Sequence, residues 1–100
     1  MLGKRIKKLR ESKGIVQRQV AAKLEVDSAY ISKMENDEKP VSRSYIQKLS
    51  ELFETTPEEL ETMWLSDKIM EIIQNEPLAL KALKLSGERL NDENADGKAE

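Results

Sequence analysis

Histidine and cysteine are both missing from this 100-residue chain. Their absence removes the commonest general base, the commonest metal ligand and the thiol nucleophile together. Carboxylates, lysines and serines remain, but no paired-carboxylate, phosphate-loop or metal-ligand spacing gathers them. Glu58-Glu59 is accounted for by helix capping and Asp92-Glu93 by a solvated tail. Catalysis, a bound metal and a cofactor are therefore not expected. What the residues do offer is non-covalent recognition. In Ser28-Ala29-Tyr30-Ile31-Ser32-Lys33-Met34, Ile31 and Met34 stand three apart, so Ser28, Ala29, Ser32 and Lys33 fall on the outward side of a helix. Two hydroxyls, a methyl and an ammonium make a small face that donates, accepts and packs. Gln17, Arg18, Asn36, Lys39 and Arg43 flank that face with donors suited to an anion.

Short amphipathic helices are needed to hold such a face. Leu2, Ile6 and Leu9 recur at helical spacing, and the first helix is expected to stop near Lys13-Gly14. Val16 to Leu24 reads as a second helix with Val20, Ala21 and Leu24 inward. Asp27 or Ser28 is a natural N-cap for a third, running to about Asn36. A loop with Pro40 follows, then a fourth helix carrying Ile46, Leu49, Leu52 and Phe53, capped by Ser42 or Ser44. Thr56-Pro57-Glu58-Glu59 has the form of a capping box with proline in the first helical position. The fifth helix buries Leu60, Met63 and Trp64. Beyond Leu65, Ile69, Ile72 and Ile73 form one more stripe, Pro77 kinks or restarts the chain, and Leu78, Leu80, Leu83 and Leu85 precede Ser86-Gly87. No strand signal and no internal repeat is found. The expected architecture is all-α, a five-helix bundle over 1–65 with a helical extension over 66–90 and a disordered tail over 91–100.

Composition sets further bounds. One hundred residues make one domain with a short appendage, and a core of that size is marginal for a lone monomer. The longest apolar run cannot span a bilayer, and the basic N-terminus lacks the apolar segment of a signal peptide, so a cytoplasmic location is the expectation. The net charge of −2 hides an asymmetry. Residues 1–43 carry eleven basic against six acidic side chains, a net of +5, and residues 44–100 a net of −7. A polyanion-binding front and a solvated or partner-binding rear would give such a split.

The apolar stride changes between Leu24 and Ile31, where Val26 comes only two residues after Leu24. A tight turn joining two short helices at a steep angle explains the change, with Val26 folded inward as its plug and Ala21 small enough for close approach. Those features describe a helix-turn-helix. From Leu2 to Leu65 the sequence resembles the phage-repressor/Cro-like family of helix-turn-helix regulators, the xenobiotic-response-element type. The resemblance is carried by Ile6-x-x-Leu9-Arg10, Gln17-x-x-x-Ala21, Val26, Tyr30-Ile31-Ser32-Lys33-Met34-Glu35-Asn36, Pro40 and the Leu49 to Leu60 stretch. Two departures stand out. Glu25 and Asp37 occupy positions where the family usually has glycine, and a left-handed backbone costs a non-glycine roughly 1 kcal/mol.

In a helix-turn-helix the third helix enters the major groove with its N-terminal residues nearest the base edges. Base contacts are accordingly expected from Ser28, Ala29, Ser32 and Lys33, the positions where the resemblance also puts them. Ala29 offers a methyl to thymine, the serines donate or accept, and Lys33 reaches either guanine or a phosphate. Phosphate contacts are expected from Gln17, Arg18, Tyr30, Asn36, Lys39 and Arg43, with packing on the domain the alternative for Tyr30 and the minor groove the alternative for Arg43. The resemblance makes Arg10 and Glu35 a structural pair. Lys4, Lys7 and Lys8 add a general positive field.

The resemblance implies a sequence-specific transcriptional regulator, most simply a dimeric repressor of a palindromic operator bound as double-stranded DNA. The extension supplies apolar residues beyond what five small helices need and is expected to form the homodimer interface, the alternative being that it completes each monomer's own core. A second class is an antitoxin, or a restriction–modification controller, on the same fold, with the acidic C-terminal half binding a protein partner. A small-molecule sensor lacks an appended domain to hold a pocket.

Overall fold

Leu2, Ile6 and Leu9 do form a helix, and the structure, a computed structural model, describes the backbone of residues 1–99 and the side chains of residues 1–94. All described elements are helical: α1 (Leu2–Ser12), α2 (Gln17–Leu24), α3 (Ser28–Glu35), a 3-10 turn (Arg43–Tyr45), α4 (Ile46–Phe53), α5 (Pro57–Ile73) and α6 (Ala79–Ala99). The chain divides into two units, Met1–Ile69 and a second that begins at Met70. No helix among the described residues is long and apolar enough to cross a membrane.

The core of the first unit is built from every one of its helices. Leu2 and Ile6 of α1, Val20, Ala21 and Leu24 of α2, and Ile31 and Met34 of α3 are buried together with Val41, Ile46, Leu49, Phe53 and Leu60. Leu9, Val26, Tyr30, Leu52, Met63 and Trp64 pack around them, partly exposed. Gly3 shows how closely α1 approaches the end of α3. A Cβ there would collide with the Met34 carbonyl oxygen, so no side chain fits.

The helices end alike. After α1, α2, α3 and α4 one residue takes a left-handed conformation, and the next amide reaches back to the carbonyl five residues earlier: Ile15 to Arg10, Val26 to Ala21, Glu38 to Lys33 and Thr55 to Ser50. This back-bonding satisfies carbonyls that the helix leaves free. The left-handed residue is glycine only at Gly14, φ +67°. It is Glu25 after α2, Asp37 after α3 and Glu54 after α4, with φ of 59°, 59° and 55°. The turns thus keep their geometry despite the missing glycines, and a third such site, Glu54, joins the two visible in the sequence.

The capping signal before α5 is realised only in part. The Glu59 amide donates to Thr56 Oγ1 at 3.2 Å, but the Glu59 carboxylate does not close the box. It accepts from the Thr55 hydroxyl and from Arg5 Nη2, the latter at 2.8 Å, and so ties α1 to α5. Asp67, farther along α5, accepts from the Leu2 amide at 3.0 Å and caps α1. Helix α5 therefore runs on through Leu65, where the sequence reading ends the first domain. In the second unit α6 begins two residues after Pro77 and continues past Gly87. A single glycine is tolerated in a helix at a cost of about 1 kcal/mol. Residues 91–99, read from the sequence as a tail, fall within α6, and Glu100 lies outside the described residues.

Two expectations follow. Glu25→Gly should raise stability by about 1 kcal/mol, because it relieves a left-handed non-glycine; urea denaturation measures this, and an unchanged midpoint would show the site unstrained. Acid sensitivity is the second. Thr55 first, then Arg5, hold the Glu59 carboxyl below its ordinary range against the opposing effect of burial. A depressed folded-state value means stability present above the unfolded-state value and lost as pH falls through the folded one. From about pH 4.3, the ordinary glutamate value, downward, Glu59→Gln should lose stability less steeply than the parent, as read from melting temperature against pH.

Candidate nucleic-acid interface

The outward face of α3 depends on what is buried behind it. Ile31 and Met34 are wholly inside, and Glu35 is 2% exposed, so the helix is fixed in rotation. Ser28, Ala29 and Lys33 are left exposed and Ser32 half-buried. The sequence-expected base-reading residues therefore stand on one side of one helix. Asp27 is the N-cap of α3 by backbone geometry, but its side chain makes no capping hydrogen bond.

Glu35 is the buried charge that positions this helix against its neighbours. Arg10 Nε donates to Glu35 Oε2 at 2.7 Å and Arg10 Nη2 to Oε1 at 3.1 Å, a bidentate pair. Arg10 Nη1 donates to the Ile15 carbonyl at 3.0 Å. Gln17 Nε2 donates to Glu35 Oε1 at 3.0 Å. One carboxylate thus links the end of α1, the start of α2 and the end of α3. The Glu35 hydrogen bond raises the Arg10 guanidinium above its ordinary value, with burial opposing. The structural pairing of Arg10 with Glu35 is present, and it extends to Gln17, which the sequence reading assigns to phosphate alone. Gln17 is held by one amide proton, at the first turn of a helix whose N-cap residue, Val16, makes no side-chain cap.

The flanking donors are arranged unevenly. Arg18, Asn36 and Lys39 are exposed, and among the described ion pairs none includes Arg18, Lys33 or Lys39. Tyr30 packs edge-on against Tyr45, ring centres 6.2 Å apart, and its hydroxyl donates to the Pro40 carbonyl at 3.4 Å. Burial first, then Tyr45, pushes the Tyr30 phenol up, so it stays protonated. Its position matches the packing alternative for this residue. Arg43 lies over the Trp64 ring at 5.0 Å and 3.9 Å from a Glu61 oxygen. The sequence reading gave Trp64 an apolar role. It is half-buried, and its indole Nε1 donates to the Val41 carbonyl at 2.9 Å, fastening the loop after α3 to α5. Nothing in the local sequence marks that bond, because its partners are 23 residues apart.

The charge split read along the sequence does not survive folding as a spatial split. Arg5, Lys13, Lys23 and Arg43 pair with Glu59, Glu54, Glu51 and Glu61 of the acidic half. Over residues 1–69 there are thirteen basic and twelve acidic side chains, and over 70–100 four and seven. Around α3 the exposed bases Arg18, Lys33 and Lys39 stand with the exposed acids Glu25, Asp27, Asp37 and Glu38.

Comparison with known proteins agrees with this geometry. The family described as Helix-turn-helix matches residues 6–60, more than half of the chain. No curated protein and no solved structure gives a significant match.

Breaking the Arg10–Glu35 pair tests the positioning role. Arg10→Met strands a buried carboxylate and should cost about 3–5 kcal/mol, whereas joining it to Glu35→Met should recover most of the loss. If the single variant loses less than about 1 kcal/mol by urea denaturation, where a solvated pair would fall, Glu35 does not organise the three helices.

Proposed function

The chain belongs to the Cro/C1-type helix-turn-helix family of DNA-binding transcriptional regulators, and on that premise we propose that it is a dimeric repressor reading a palindromic operator. The observation that carries the reading is the outward face of α3, where Ser28, Ala29, Ser32 and Lys33 are offered while Ile31, Met34 and Glu35 are locked inside. Helix α3 lies in the major groove. The hydroxyls of Ser28 and Ser32 meet base donors or acceptors, the Ala29 methyl meets thymine, and Lys33 meets guanine or the backbone. The free amides at the start of α2, with Gln17 and Arg18, take a phosphate. Asn36 and Lys39 add contacts from the loop beyond α3, and Arg43 contributes from its place over Trp64.

Recognition by one helix covers few base pairs. Two copies related by a two-fold axis double the site and require half-sites about one DNA turn apart, ~34 Å. The segment 66–90 supplies the dimer contact, and the protein works in the cytoplasm. The protein-partner alternative through the acidic half is less favoured, because four of that half's acids are engaged by basic residues of the same unit.

Selection of bound duplexes from a random pool tests the reading. A two-fold symmetric motif should emerge. Lys33→Ala should relax preference at one position per half-site by about 1–3 kcal/mol if it reads a base. Arg18→Ala should weaken all sequences alike and lower the salt slope by about 1 per half-site. Equal, weak retention of every duplex at moderate salt would overturn the proposal.

A further inference from the structure

The loop between α3 and the 3-10 turn is held by side chains from two helices. As far as Lys39 its backbone bonds back to α3, at the Lys33 carbonyl, and the Tyr45 amide bonds to Ser42. Between these, Pro40 has no amide proton to give, and its carbonyl accepts from the Tyr30 hydroxyl of α3. The next carbonyl, that of Val41, accepts from the indole Nε1 of Trp64 on α5. The Val41 side chain is buried, so this residue is fixed on both its apolar and its polar side. Arg43 follows two residues later.

Trp64 does more there than fill space. The Arg43 guanidinium lies over its ring, 5.0 Å from the centroid, and Lys68 Nζ stands 5.3 Å from the same ring. A leucine or methionine would supply the apolar contact with the core, but neither has an aromatic face or an N–H. The indole therefore acts on the loop twice, through the backbone of Val41 and through the side chain of Arg43. A free arginine has many rotamers to lose when it is fixed on a phosphate. One already stacked on a ring loses fewer. The competing contact is weak. Glu61 is 3.9 Å from Arg43 with both side chains about half exposed, where an ion pair contributes little.

We propose that Trp64 is a positioning residue for DNA binding, presetting the Arg43 guanidinium and the backbone at Pro40 and Val41 where the duplex phosphates pass. It acts through Arg43 and touches no DNA itself. The proposal rests on the DNA reading above and deepens it. It names a residue beyond the matched segment, residues 6–60, on which a backbone contact depends.

The full chain is assayed with a duplex that it selects from a random pool. Affinity is measured at several salt concentrations for the parent, Arg43→Ala, Trp64→Leu, Trp64→Phe and the Arg43→Ala/Trp64→Leu double variant, with melting curves to verify folding. One lost phosphate contact lowers the slope of log K against log salt by about 0.9 per half-site. Arg43→Ala and Trp64→Leu should each show that drop. The double variant should drop no further, because residues that act through one contact are not additive. Trp64→Phe, which keeps an aromatic face, should recover most of the loss. Weaker binding by Trp64→Leu at an unchanged slope, or drops that add in the double variant, would show a merely structural tryptophan and overturn the proposal. Trp64 is the single tryptophan of the chain, which gives a second measurement independent of how its variants fold. Its emission should change when the selected duplex binds, and Arg43→Ala should remove most of that change. Constant emission on specific binding would likewise sink the idea. A parent chain that retains every duplex alike removes the DNA reading and this role with it; specific binding with additive losses removes only the role of Trp64.

Discussion

A single buried carboxylate organises the DNA-binding unit. Glu35 accepts from Arg10 twice and from Gln17 once, so three helices that share little backbone bonding meet at one group. Apolar packing alone would allow α3 to rotate or slide by small amounts at modest cost, since burial is non-directional. A desolvated ion pair with a second donor is directional and costly to leave half-made. It therefore fixes the angle between the first turn of α2 and the outward face of α3. On the proposed reading the same pair of elements addresses a phosphate and the base edges together, so the constraint on the fold is also the constraint on recognition.

The turn between α2 and α3 shows how geometry outranks local preference. Glu25 holds φ 59°, ψ 46° because the amide of Val26 must reach the Ala21 carbonyl for Val26 to fold inward. Asp37 and Glu54 accept the same conformation for the same bonding scheme. Each site costs something that glycine would not. The total is offset by a core to which every helix of the unit contributes.

Much of this architecture is legible from residues alone. The 3.6-residue spacing of Leu2, Ile6, Leu9, of Val20 and Leu24, and of Ile46, Leu49 and Phe53 marks inward faces that are in fact buried, Leu9 only in part. The shortened step to Val26 marks the turn. Long-range polar bonds are not legible in that way. Trp64 to Val41, Asp67 to the Leu2 amide and Arg5 to Glu59 span 23, 65 and 54 residues, and each depends on the folded path of two elements. Glu59 illustrates the limit well. Its position in Thr56-Pro57-Glu58-Glu59 promises a local cap, yet its carboxylate turns to Thr55 and Arg5 because a cation from α1 is within reach. The face of α3 was readable because helical spacing sorts it; the use of Gln17 was not, because it follows from where Glu35 ends up.

Charge gives the last step of the argument. A count along the sequence suggests a basic front and an acidic rear, but folding brings the two together, leaving residues 1–69 almost neutral. Five of the front half's eleven cations are spent on ion pairs with glutamates of the same unit. A uniformly basic surface would bind any duplex by counterion release and carry no sequence information. In this nearly neutral unit Arg18, Lys33 and Lys39 are exposed beside exposed Glu25, Asp27, Asp37 and Glu38, while Lys4, Lys7, Lys8 and Lys48 are exposed elsewhere. Non-specific attraction to a polyanion is weaker for a nearly neutral unit than for a uniformly basic one, so on the proposed reading more of the discrimination falls to the small side chains of α3.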